Sequence, residues 1–229
     1  VTLSMVAAPL IFALEERFLA PRLAKAPRRA FDALDGAATP VIICGFGRFG
    51  QVIGRILRLK RIAFTALDKN GEQIDLVRRF GSKAYYGDPS RLDVLRSAGA
   101  AEAKLLVVAL DGVAESLKVV EHAKRHFPNL VILARARNRR HTHLLMDQGV
   151  THIVRETYHS SLRLTEEVLQ ELGLSIEEAE RTVRLFREHD ERMLIDQHGI
   201  YDDEKQMIQT TKQAMIELSG LLEADQAER

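Results

Sequence analysis

One cysteine, Cys44, is all the sequence has, so no intramolecular disulfide framework exists and a reducing compartment such as the cytoplasm is expected. Three further absences bear on chemistry. No Cys/His spacing suits a metal, no G-x-S-x-G turn presents a nucleophile, and no G-x-x-x-x-G-K-[ST] loop wraps a polyphosphate. Net charge is nearly absent too, at +1, but the sum hides two opposed regions. Residues 40–155 carry 20 Lys/Arg against 10 Asp/Glu, and residues 156–229 carry 8 against 18. The basic middle favours anionic ligands, and the acidic tail repels nucleic acid while suiting the middle or its copy in a dimer. What is present, 46% hydrophobic and 28% charged residues over 229 positions, is an ordinary folded composition that excludes collagen-like and disordered classes.

The apolar opening, Val1 to Leu14, is free of charge and followed by Arg17, Arg22, Lys25, Arg28 and Arg29. It is shorter than the ~20 residues that span a bilayer, and a signal peptide would carry its positive charges in front. Two readings stay open. It is the last part of a membrane helix with cytoplasmic charges behind it, or an amphipathic first helix. Residues 21–40 combine Pro, Ala and charge without an apolar face and read as a linker.

The β-rich run Val41-Ile-Ile-Cys44 leads into Gly45-Phe-Gly47-Arg-Phe-Gly50 and then an amphipathic segment from Gln51 to Leu57. In a strand, glycine turn and helix, Gly45 makes the turn, Gly47 lets backbone approach a phosphate, and Gly50 lets helix pack on strand. The helix N-terminus supplies oriented N–H groups. A second strand over 62–67 ends in Asp68, 23 residues after Gly45, where a carboxylate accepts ribose hydroxyls. Phe46, Arg48, Phe49 and Lys69 complete the expected nucleotide contacts. The alternation continues with helices at 71–80, 91–98, 113–126 and 140–148 and strands at 83–86, 104–109, 130–135 and 152–155. It predicts an α/β, doubly wound, Rossmann-like parallel sheet with Asp88, Asp111 and the Arg135/Arg137 pair around the same crevice. Asp88, before Pro89, serves equally well as a helix N-cap.

The eight histidines do not assemble by spacing. His122 and His126 sit at the far end of their helix from the crevice, and His141 and His143, at i and i+2, point apart. With 40–155 consumed by the nucleotide fold, a sensing module is preferred to a catalyst. Beyond Arg155 three helices are expected, Ser160–Leu172, Ser175–His189 behind a capping-box start, and one near 202–223. They form an arm that exchanges with a second copy or folds back on its own domain.

Together, Val41-Ile-Ile-Cys-Gly-Phe-Gly-Arg-Phe-Gly-Gln51, Arg79-Phe-Gly81, Tyr85-Tyr-Gly-Asp-Pro89, Leu95-Arg-Ser-Ala-Gly-Ala100, His126-Phe-Pro128, Ile132-Leu-Ala-Arg-Ala-Arg137, Gly149-Val150 and Arg155-Glu-Thr157 resemble one family. It is the cytoplasmic regulatory domain of bacterial glutathione-gated potassium efflux systems, the Kef type, whose core is the KTN or RCK (TrkA-N-like) fold. The resemblance implies three parts: 1–39, the end of a membrane helix and a linker; 40–155, the nucleotide-binding domain; and 156–229, a helical dimerisation arm. It implies AMP or NAD(H) in the glycine-turn site and glutathione as regulatory ligand. Glutathione closes the potassium–proton antiporter, and its S-conjugates open it. Carried over by position, the glutathione contacts are Arg55, Phe80, Arg155 and Asp190, the last from the partner subunit and standing where the family has asparagine. Arg55 and Arg155 suit carboxylates or, alternatively, surface ion pairs with Glu156 and the acidic tail. Phe80 is the expected switch, displaced by a bulky S-substituent. The implied partners are a second copy, the antiporter's membrane domain, and an ancillary flavoprotein of quinone-oxidoreductase type, with no nucleic acid. A regulatory subunit of potassium uptake gated by NADH or ATP, and a small nicotinamide-dependent reductase, are the competing readings.

Overall fold

The structure, a computed structural model, describes residues 30–32, 39–80 and 84–227. The membrane-helix end expected at 1–14 and most of the expected linker lie outside the described residues. The chain divides into two units, Val1–Asp32 and Ala33–Arg229, and every element described belongs to the second.

Strands and helices alternate as β1 (Val41–Cys44), α1 (Arg48–Leu59), β2 (Phe64–Asp68), α2 (Gly71–Arg79), β3 (Ala84–Tyr86), α3 (Leu92–Ser97), β4 (Leu105–Val108), α4 (Val113–His126), β5 (Val131–Ala136), α5 (Arg139–Asp147) and β6 (His152–Arg155). The strands form one all-parallel sheet in the order β3-β2-β1-β4-β5-β6. Val41 of β1 pairs Phe64 on one side and Leu105 on the other, so chain direction across the sheet reverses between β1 and β4. That reversal opens a crevice at the carboxyl ends of the central strands.

The four residues of β1 are all buried, as a central parallel strand covered on both faces demands. Ile42 and Cys44 pack with Leu106, Ile132, Val119 and Leu145 under α3, α4 and α5. Val41 and Ile43 pack with Ala66, Ile74, Val77 and Val107 under α1 and α2. Period-two alternation therefore assigns each side chain to one of two cores. The cover is incomplete on the α1/α2 side. There β5 and β6 carry Val131 and Val154, which remain 46% and 45% exposed.

Side-chain caps start several helices where the sequence places Asn or Ser. Asn70 accepts from Gln73 N–H at α2, Asn138 from His141 N–H at α5, and Ser175 from Glu178 N–H. Beyond the sheet come α6 (Tyr158–Glu171), α7 (Ile176–Asp196), a 3-10 turn (Gln197–Ile200) and α8 (Glu204–Ala227). Gly173, at φ +100°, ends α6 in the left-handed conformation. The second arm helix differs from expectation by running on to Asp196 rather than stopping at His189, with Asp190 held by Arg139 and Arg155 just beyond the expected end.

The arm lies on its own domain. His143 of α5 stacks against Tyr201 at 4.9 Å and against His198 at 5.7 Å, and Arg140 pairs with Asp202 at 2.8 Å. Both His141 and His143 are buried although they point apart: His141 Nδ1 accepts from Arg137 N–H, and His143 stacks against the arm. The reason is that α5 is covered twice, by the sheet and by the arm.

Candidate functional site: a crevice at the glycine turn and an arginine cluster at the arm

The chain leaves β1 through Gly45, at φ +94°, a backbone conformation that side chains disfavour. A Cβ there would lie 2.7 Å from the Ala109 carbonyl oxygen. A Cβ on Gly50 would lie 2.1 Å from the Gly45 carbonyl oxygen, so α1 presses directly on the turn. Gly47 differs, since a Cβ there meets nothing within 4 Å. Two glycines are thus required by close packing, and the third faces open space at the N-terminus of α1. Arg48, exposed, is the first residue of that helix.

Asp68 ends β2 and fixes this turn. Its Oδ2 accepts from Phe46 N–H at 2.7 Å, and its Oδ1 accepts from Asn70 N–H at 2.8 Å. A carboxylate oxygen has two acceptor directions, so each keeps one for a ligand hydroxyl. The Phe46 ring is buried in the core, 6.0 Å from Phe64, so Phe46 acts on the crevice only through its backbone. Lys69 reaches across to Glu115 of α4 at 2.7 Å, bridging the ends of β2 and β4. That hydrogen bond raises the lysine and lowers the glutamate from their ordinary values. Asp88 accepts from Ser90 N–H at 3.0 Å in a tight turn, while α3 begins later, at Leu92 with Arg91 as its cap. Asp88 therefore does not cap the helix. Cys44 lies beneath the turn, fully buried, and burial followed by the Asp68 charge pushes its thiol strongly up, away from thiolate chemistry.

Arg135, buried at the end of β5, links this crevice to the arm. Its guanidinium pairs with Asp111 and with Glu156 at 3.0 Å, donates to the Ala109 carbonyl at 3.1 Å, and lies 5.6 Å from the Phe49 ring. Three of those partners wall the crevice, and Glu156 is the first residue after β6. Arg137 is exposed and takes no part in this arrangement.

A second cluster forms where β6 meets the arm. Arg155 Nη2 lies 2.5 Å from Asp190 Oδ2, and Arg139 Nη1 lies 2.6 Å from Asp190 Oδ1. Burial alone would raise the Asp190 carboxyl, but Arg155 and Arg139 together hold it below the ordinary carboxylate range. The Arg155 guanidinium stacks 3.4 Å from the Tyr158 ring centre. Burial and the nearby Asp190 charge push the Tyr158 phenol up to about 12.

Of the four positions expected around glutathione, only Arg155 and Asp190 meet. Within one chain Asp190 is held by Arg155 and Arg139, because α7 folds back onto β6 and α5. Arg55 is exposed on α1, and Phe80, 77% exposed, follows the end of α2 on the β2–β3 side of the sheet. Arg139 was not foreseen, since its partner lies 51 residues away and no local pattern marks it. Among the described residues no helix is long and apolar enough to cross a membrane.

Comparison with known proteins agrees with this geometry. Residues 41–156 match the TrkA-N domain, and residues 160–229 match the potassium efflux system KefB C-terminal domain. The Kef C-terminal domain of Shewanella denitrificans, solved in AMP-bound form, is 43% identical, covering 70% of this chain and 98% of its own, at a TM-score of 0.64. The TrkA-N domain of the inner membrane protein ybaL from Escherichia coli shares the fold at 20% identity, covering 60% of this chain and 98% of its own, at a TM-score of 0.51. So does the GsuK channel bound to NAD, at 22% identity, covering 68% of this chain and 29% of its own, at a TM-score of 0.53. A six-stranded Rossmann-like sheet, a glycine turn read by Asp68, and a helical arm matching KefB's C-terminal domain lead to one statement: the chain belongs to the family of Kef potassium-efflux C-terminal domains.

Proposed function

We propose that this chain is the ligand-sensing gate of a potassium–proton antiport system, acting at the cytoplasmic face of the bacterial inner membrane. A nucleotide occupies the glycine-turn crevice. Glutathione holds the gate closed, and its S-conjugates open it. The observation that carries the nucleotide part is the open space at Gly47, at the N-terminus of a 12-residue helix, beside a carboxylate with free acceptor directions. The AMP-bound Shewanella relative favours AMP as the occupant. The match of the segment after the nucleotide fold to the potassium efflux system KefB C-terminal domain supports a sensor rather than a catalyst.

Glutathione carries two carboxylates and an ammonium, and Arg155 at the β6 edge suits a carboxylate. Arg55 and Phe80 lie on the other side of the sheet, so a site made of all four positions needs a second copy of the chain. The uncovered face of β5 and β6, with exposed Val131 and Val154, and the exposed apolar residues Leu164, Val168 and Leu172 of the arm support homodimerisation. A ligand moves a gating equilibrium only by binding its two states unequally. Exposed Phe80 is a side chain that a bulky S-substituent would displace and a free thiol would leave in place.

Calorimetry of the 229-residue chain with AMP, NADH, glutathione and S-hexylglutathione tests this reading. Nucleotide binding that weakens at least about tenfold in Asp68→Asn, through loss of one charged acceptor, is expected. Hydride transfer to a substrate, or no affinity for any of the four ligands, would refute it.

A further inference from the structure

The crevice at the glycine turn has two sides, and the side chains around it treat them differently. Strand β1 lies between β2 and β4, so a phosphate held at the turn has the end of β2 on one side and the end of β4 on the other. A doubly wound sheet takes a dinucleotide across both sides, with its pyrophosphate at the turn. A nucleoside monophosphate needs only the β2 side, where Asp68 stands.

Two helices begin beside this crevice. Helix α1 has no acid in its first turn, and a Cβ on Gly47 would meet nothing within 4 Å, so its start is open. Helix α4, which follows β4, is closed. Its N-cap is Gly112, and a Cβ there would lie 1.9 Å from Glu115 Oε2 and 2.7 Å from Glu115 Cδ. The Glu115 carboxylate is thus folded back over the start of its own helix, where the helix end favours negative charge. Its other oxygen, Oε1, accepts from Lys69 Nζ at 2.7 Å. Since Lys69 follows the last residue of β2, this ion pair spans the carboxyl end of β1 from one side of the crevice to the other. Asp111, just before Gly112 and with its side chain 86% exposed, adds a second carboxylate on the β4 side.

We propose that Glu115, held by Lys69, closes the β4 side of the crevice, so that the site selects a nucleoside monophosphate against a nicotinamide dinucleotide. The glycine turn and Asp68 serve both classes alike, and Glu115 separates them. A monophosphate ends at the start of α1 and leaves the ion pair intact. A dinucleotide carries its second nucleoside toward α4, where it has to lift Glu115 off that helix and break the pair with Lys69. This inference rests on the reading of the glycine turn as a nucleotide site, and it adds the class of nucleotide and the residue that decides it.

Calorimetry with AMP and with NADH on the 229-residue chain, prepared free of nucleotide, tests the proposal against Glu115→Gln and Glu115→Ala. Glutamine keeps the length of the side chain and still accepts from Lys69, whereas alanine removes the closure altogether. The unaltered chain should bind AMP more tightly than NADH. An exposed ion pair and a charge at a helix end are each worth a few-fold at most, so the ratio of AMP to NADH affinity should fall about fivefold in Glu115→Ala and by less in Glu115→Gln. The ratio is the readout because a freed Lys69 strengthens both ligands. A Glu115 that only caps α4 would leave the ratio where it is. An unchanged ratio in both variants, or a preference of the unaltered chain for NADH, overturns the selection and leaves the nucleotide site standing. If neither nucleotide binds the unaltered chain or either variant, the nucleotide site itself fails, and the selection with it.

Discussion

The three glycines of the turn separate packing from ligand binding, and alanine substitutions at two of them should have opposite signatures. At Gly50 the added methyl carbon would sit 2.1 Å from the Gly45 carbonyl oxygen and 3.3 Å from Ile43 Cγ2, so helix α1 has to back away from β1. Overpacking of this kind costs about 3 kcal/mol, which for a domain of this size lowers the melting temperature by about 6–12 °C. At Gly47 the methyl carbon meets nothing within 4 Å. Since φ there is −75°, the only penalty is the preference of an N-cap for glycine over alanine, at most about 1 kcal/mol. That open space is where a phosphate must approach the backbone. AMP at about one hundred times its dissociation constant stabilises a folded protein by about 2.7 kcal/mol, which corresponds to an upward shift of about 5–11 °C. Thermal melts of Gly47→Ala should therefore match the unaltered chain to within a few degrees without nucleotide and lose the AMP shift. Gly50→Ala should melt low with or without it. If Gly47→Ala keeps the full AMP shift, the phosphate does not sit at this turn and the assignment of the crevice is wrong.

Arg135→Met removes a buried guanidinium from between Asp111 and Glu156; because Asp111 is 86% exposed and recovers its hydration, the loss should be near the lower end for a broken buried pair, about 3 kcal/mol. Urea denaturation would read this as a lower midpoint, and an unshifted midpoint would show that the guanidinium links nothing of consequence. His143 gives a pH dependence with a definite sign. Burial first, then Arg139 and His198, hold its imidazole below the ordinary value of 6.5, with Asp147 opposing. The fold thus favours the neutral ring, so its contribution is complete above pH 6.5 and is lost as pH falls from 6.5 toward the lowered value. His141, held low by burial and then Arg135, acts in the same direction. Unfolding free energy should drop between pH 7 and pH 5, and less so in His143→Gln; a stability that rises on acidification would contradict the packing described.

Local signals made the sheet domain legible in the sequence. Gly45, Gly47, Gly50 and Asp68 lie within 24 residues, and each answers a requirement of a strand, a turn or a helix start that can be read without knowing the rest of the chain. Hydrophobic alternation then set the order of strands and helices, since buried parallel strands are short apolar runs and the helices between them are amphipathic. Ends of elements moved by a few residues where a contact from elsewhere intervened. Helix α7 continues past its expected end, with Asp190 held by Arg139 and Arg155 just beyond it. The arm cluster was out of reach for the same reason. Arg139 and Asp190, or His143 and Tyr201, are more than fifty residues apart, and their meeting depends on how α6 and α7 fold back. Asp190 and Arg155 were singled out only through a resemblance, and Arg139 was not: an arginine at the start of a helix has no periodic or spacing signal that points to a carboxylate on a distant helix.

The division of charge between a basic middle and an acidic tail acquires a structural meaning from the contacts between them. Glu156 meets Arg135, Asp190 meets Arg139 and Arg155, and Asp202 meets Arg140, in each case an acid of the tail against a base of the sheet domain. These pairs do not contribute equally. Arg140 and Asp202 are both well exposed, and such a pair contributes about 0–1 kcal/mol and is screened by salt. The pairs at Asp190 and Glu156 are largely shielded from water and persist where the exposed pair does not. Exposed charge therefore chooses where the arm lies, while two shielded junctions, one at the root of α6 and one midway along α7, hold it there. Both junctions are built from arginines largely withdrawn from water: Arg135 beside Phe49 and the Ala109 carbonyl, and Arg155 together with Arg139, which lines a cavity between α7 and α8.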